Sequence, residues 1–202
     1  MIVNKDNKIK KLMLLFKMII LLFLITMCNN IVSVPKPRGY LRIDFPEKQY
    51  RLFDSVGSPY RFARPADSRM EPDTVSYQYE PYWMNMRMPF YNATIHISYK
   101  RIKNNFSALL DDTHNFVYRH VIKADVISEM PFRNVEKNVY GMLYELGGDV
   151  ASPVQFYATD SIKHFLRGSL YFFTIPNADS LAPSIVFLTE DIEYLMKTME
   201  WK

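Results

Sequence analysis

The side chains with chemistry to offer are one cysteine, four histidines and a set of hydroxyls that follow aspartates. Cys28 has no second cysteine, so a disulfide within the chain is excluded. His96, His114, His120 and His164 fall on separate predicted elements or on different faces of one helix. Two ligands on one helix face need a spacing of three or four, and His114 and His120 stand six apart. All four read as surface or packing histidines, and neither a metal nor a cofactor is expected. G-x-S-x-G, G-x-x-x-x-G-K-[ST] and H-E-x-x-H are absent. Asp111, Asp112, Glu145 and Asp149 read as solvated carboxylates, so no catalytic set is expected. One pattern recurs: Asp54-Ser55-Val56, Asp73-Thr74-Val75, Asp160-Ser161-Ile162 and Asp179-Ser180-Leu181 take four of the 12 aspartates. Either Ser55, Thr74, Ser161 and Ser180 accept an O-linked glycan, or the aspartates start turns and helix caps. Asn92-Ala93-Thr94 matches the N-glycosylation triplet, but its threonine lies in a predicted strand and it is set aside.

The position of Cys28 gives its thiol a specific use. Lys5, Lys8, Lys10, Lys11 and Lys17 precede "MIILLFLITM", ten residues with a single polar member. That is the charged start and apolar run of a secretory signal. It is short of the about 20 apolar residues that span a bilayer, although counting back to Leu12 would lengthen it. The run ends in "LITMC", which looks like a bacterial lipobox, with Met27 where a small residue is usual. Cys28 would then become the first mature residue and carry acyl chains, two of which anchor a protein stably. Residues 1–27 are read as the signal and 28–34 as a tether. The signal also holds the charge excess. Removing its five lysines and Asp6 from totals of 25 basic and 21 acidic residues leaves 20 of each. A neutral remainder offers no general surface for nucleic acid.

Residues 35–202 read as one domain, with 49% of the whole chain apolar. "PKPRGYLRIDFPEKQY" is too proline-rich for a helix; its alternation predicts an edge strand from Gly39 to Pro46. Residues 51–74 read as turns with short extended pieces such as "PYRFA". Met84, Met86 and Met88 alternate with polar residues, either as core filler or as lining for an apolar ligand. "NATIHISYKR" is the clearest strand. A helix is predicted over 106–121, capped by Asn104 or Asn105, with Phe106, Leu109, Leu110, Thr113, Phe116, Val117 and Val121 on its buried stripe. "DVISEMPF", "KNVYGMLYELGG", "SPVQFYATD" and "IKHFLRGSLYFFTIP" predict four further strands. A last helix is placed at 183–200, entered through Pro183, with Ile185, Val186, Leu188, Ile192, Leu195, Met196 and Met199 on its apolar face. This order predicts an α+β fold, a mainly antiparallel sheet with two amphipathic helices packed on it, similar in element order to the PsbP-like fold.

The lipobox, "PKPRGY" and the following "R-I-D-F-P-E-K-x-Y" resemble GldD, the gliding-motility-associated lipoprotein family of Bacteroidetes. The resemblance implies an outer-membrane lipoprotein, periplasm-facing and non-enzymatic. Its role would be as an accessory or assembly component of gliding motility and type IX protein secretion, beside other lipoproteins or ring subunits. Lys36, Arg38, Tyr40 and Arg42 are then candidate partner contacts; otherwise the segment folds onto its own domain. A rival reading is an envelope lipoprotein that binds a lipid or small apolar ligand through residues 84–90.

Overall fold

The computed structural model describes residues 3–26, 43–74, 80–119 and 124–202. The chain forms two compact units, Met1–Gly39 and Tyr40–Lys202. In the first, helix α1 spans Val3–Thr26. Its residues from Lys10 to Leu21 are exposed, and no described helix is long and apolar enough to cross a membrane. Cys28, Lys36, Arg38, Tyr40 and Arg42 lie outside the described residues.

The second unit is α+β, as its patterning predicts. Ten strands occur among the described residues: β1 (Tyr50–Phe53), β2 (Tyr60–Pro65), β3 (Arg69–Pro72), β4 (Met84–Met88), β5 (Ala93–Arg101), β6 (Val126–Asn134), β7 (Val139–Gly147), β8 (Val154–Thr159), β9 (His164–Phe172) and β10 (Glu200–Trp201). Helix α2 spans Phe106–Tyr118 and α3 spans Ala178–Thr198. Seven strands form one antiparallel sheet in the order β3-β4-β5-β9-β8-β7-β6; β1, β2 and β10 form a small second sheet.

Alternation puts two kinds of row across the large sheet. One face carries Met86, Ile95 and Leu170 in line, then Ile97, Gly168, Phe156 and Leu143. Helix α3 covers this face with Leu188, Ile192, Leu195 and Met196, all at most 1% exposed, and Tyr60 and Phe62 of β2 close the same core. Met86 and Met88 are buried there, so the methionine alternation fills core. On the other face α2 packs Val117 against Tyr144, Leu146 and Val150, whereas Phe116 of α2 and Val186 of α3, expected on the apolar stripes, are exposed.

Three local outcomes differ from the sequence pattern. Of the strand predicted from Gly39 to Pro46, residues 39–42 lie outside the described residues and 43–46 form no strand; among the described residues the first strand starts at Tyr50. Helix α3 begins at Ala178, five residues before Pro183, because the Asn177 side chain accepts from the Ser180 N–H and caps it. Asn105 precedes α2 but makes no side-chain cap to it; its Oδ1 accepts from Lys103 N instead.

His164 shows how the strand ends are tied. Its ring stacks on Trp201 at 5.1 Å, its Nδ1 lies 2.8 Å from the Tyr99 hydroxyl, and burial holds its basicity below the usual histidine value. Above about pH 6.5 neither folded nor unfolded His164 is charged. Below that value the unfolded chain binds the proton first, so stability falls as pH drops. Unfolding free energy is therefore expected to be lower at pH 5.5 than at pH 7.5, and His164→Gln to shrink that difference; denaturant titration at both pH values measures it.

Candidate functional site

The stretch following the predicted partner segment makes the most specific side-chain contacts in the domain. The Phe45 ring stacks on Phe187 of α3 at 4.5 Å and on Tyr91 at 6.1 Å. Lys48 Nζ donates to Phe187 O at 2.7 Å and to Asp191 Oδ1 at 2.9 Å, and reaches Glu190 Oε2 at 3.1 Å. It also sits 4.0 Å from the centre of the Phe187 ring. Tyr50 donates its hydroxyl to the same Asp191 oxygen at 2.8 Å, and its ring lies 4.1 Å from that of Tyr194. Asp191 is 3% exposed, so its charge is compensated by these two donors and not by water. Burial first, then the Asp191 carboxylate, push the Tyr50 phenol well above its usual range. Phe45, Lys48 and Tyr50, three members of "F-P-E-K-x-Y", thus lock the entering chain onto α3. Between this lock and the β2 end is a cleft of about 330 Å³, lined among others by Glu47, Pro65, Asp67 and Tyr91.

Asp191 is the functional residue that pattern reading misses. It stands inside the apolar stripe of α3, beside Ile192 and between Leu188 and Leu195. An acid at a stripe position was the available signal, because a buried carboxylate needs a partner.

Asp160, Asp54 and Asp179 of the recurring triplets take structural positions. Asp160 Oδ1 accepts from the backbone N–H groups of Ile162, Lys163 and His164 at 2.8–2.9 Å. Burial alone would raise its carboxyl; these three donors hold it below the ordinary carboxylate range. Asp54 pairs with Lys202 and Arg61, and Asp179 lies in the first turn of α3. Ser55, Thr74, Ser161 and Ser180 are all exposed, with Ser161 in the left-handed region at φ 64°. The three described histidines remain apart. His96 bonds Asn85 at 2.6 Å, His114 stacks on Tyr118, and His164 is buried against Trp201. No group of three or more His, Cys, Asp or Glu among the described residues is placed to hold a metal.

No curated protein matches the chain. Among solved structures, the solution structure of cyanobacterial PsbP (CyanoP) from Synechocystis sp. PCC 6803 is similar, with a TM-score of 0.47 and 10% identity, covering 83% of this chain and 99% of that one. The family model described as gliding motility lipoprotein GldD matches residues 30–201. That span takes in the lock, both sheets and both packed helices, and the chain belongs to the GldD gliding motility lipoprotein family.

Proposed function

We propose that the chain is a periplasm-facing outer-membrane lipoprotein, a non-enzymatic accessory or assembly component of gliding motility and type IX protein secretion. The family match over residues 30–201 carries this reading. In it, residues 1–27 are removed, Cys28 carries the lipid, and residues 28–34 tether a single domain, 35–202. Six extended residues reach only about 20 Å, which keeps the segment from Pro35 close to the bilayer. Lys36, Arg38, Tyr40 and Arg42 meet a partner lipoprotein or ring subunit, while the following Phe45, Lys48 and Tyr50 hold the segment to its own domain. The exposed Ser55, Thr74, Ser161 and Ser180 carry O-linked glycan in the host.

Cys28→Ser and Arg38→Ala expressed in the host test this reading. Cys28→Ser is expected to leave the outer-membrane fraction and to lack lipid mass on its N-terminal peptide. The intact wild-type mass is expected to exceed that of the lipidated polypeptide. Arg38→Ala is expected to keep its protein level and melting temperature while secretion falls, since a contact at the centre of an interface is worth about 2 kcal/mol or more. Unchanged membrane retention without lipid refutes the anchor, and normal secretion from Arg38→Ala refutes the partner role.

A further inference from the structure

The face of the large sheet opposite α3 is polar well beyond the part that α2 covers. Strand register places Asn85, His96, Ser169, Gln155, Tyr144 and Glu129 in one line across five neighbouring strand pairs. The next line holds Ser98, Arg167 and Tyr157; the line on the other side holds Arg87, Thr94 and Tyr171. A cleft of about 350 Å³ opens here, lined by Asp73, Trp83, His96, Ser98, Arg167 and Tyr171 among others.

Two independent observations mark this face as incomplete. Arg167 is half-buried, and among the described residues no carboxylate forms an ion pair with it. Its described contact is the Phe116 ring, 4.0 Å from the guanidinium carbon. Burial pulls the guanidinium below its usual basicity, with Tyr171 and Asp112 opposing only from a distance. A ring face compensates a desolvated cation less than a carboxylate does. On neighbouring rows of the same face, two buried polar atoms lack hydrogen-bond partners among the described residues: Nε2 of Gln155, which is 3% exposed and lies opposite Ser169, and Oγ1 of Thr94, which is 2% exposed and lies opposite Tyr171. Buried donors are almost always satisfied in a finished structure.

We propose that this cleft binds a carboxylate-bearing ligand, its carboxylate forked onto the Arg167 guanidinium and its body against Trp83 and Tyr171. Arg87, a cation on the same face, is already paired with Glu71 at 2.7 Å. The planar guanidinium matches a carboxylate with two parallel N–H donors. The volume lies within the range of small-molecule and peptide-end sites.

Calorimetry on the detergent-solubilised full-length chain tests this with four probes: an acetylated alanine tripeptide with a free C-terminus, its C-terminal amide, the amide with one internal glutamate, and inorganic phosphate. At least one carboxylate probe is expected to bind tenfold or more tighter than the neutral amide. Preference for the free terminus identifies a chain end as the source, and preference for the glutamate probe a side chain. Arg167→Met is expected to abolish that difference without lowering the melting temperature, and Arg167→Lys, which keeps charge but loses the fork, to reduce it. If Arg167→Met fails to fold, Arg167→Lys decides. Equal binding of acid and amide, no binding of either carboxylate probe, binding of phosphate alone, or full affinity in a folded Arg167 variant overturns the proposal.

Discussion

Gly168→Ala is expected to lower the melting temperature by about 6–12 °C while leaving the chain folded at 25 °C. Gly168 lies on the α3-facing side of β9, directly across from Phe156 on β8. The ring of Phe156 crosses the place where a Cβ on Gly168 would go. Phe156 is fully buried in the main core, so its ring has no free space to enter. Overpacking of a closed core costs typically about 1–3 kcal/mol, and a whole domain is stable by about 5–15 kcal/mol. A loss of about 3 kcal/mol lowers the melting temperature by about 6–12 °C at this chain length. Thermal unfolding followed by circular dichroism measures it. Adding Phe156→Leu to Gly168→Ala is expected to recover part of the loss, which separates a ring clash from a backbone effect. Gly141→Ala offers no such rescue, because its Cβ would meet the backbone carbonyl oxygen of Tyr157 and β7 would have to move from β8. A melting temperature unchanged in Gly168→Ala would mean that the ring can leave its site.

Asp191→Ala is expected to cost about 3 kcal/mol, the lower end of what removing one member of a buried ion pair costs. Lys48 keeps Glu190 and the Phe187 carbonyl, which is why the lower end applies. Tyr50 loses its described acceptor at the same time. Replacing both charged partners, as in Lys48→Met with Asp191→Leu, is expected to be less damaging than Asp191→Ala alone. Urea unfolding of the single and double variants gives the coupling directly. If the double variant is as unstable as the sum of the singles, the lock is not a unit.

The parts of the fold visible in the sequence are those whose cause is local. Alternation in "NATIHISYKR" marks β5 because Ile95, Ile97 and Tyr99 all face one core. The 3.6-residue stripe of Leu188, Ile192 and Leu195 marks α3 for the same reason. The start of α3 stays hidden, since Pro183 is a stronger sequence signal than Asn177 although Asn177 makes the cap. Strand β10 is two residues long and exists only because β2 pairs with it, so no pattern in "EW" predicts it. The lock joins residues 143 apart, and the row through His96, Ser169 and Gln155 depends on the register of three strands. Neither is encoded in spacing along the chain. The resemblance in "R-I-D-F-P-E-K-x-Y" points to the right segment, but not to Asp191 as the residue that receives it.

The lock also sets how the domain responds to force. Tension transmitted along the chain from residues before Tyr40 passes through residues 43–50. There it is resisted by the stack of Phe45 on Phe187 and the bonds of Lys48 and Tyr50 to Asp191. Because β1 comes next and pairs only with β2 as an edge, a pull that breaks the lock then reaches the small sheet before the seven-stranded one. The core around Phe156 and Ile192 is thus mechanically downstream, and the domain can yield at its entrance while its main sheet stays whole.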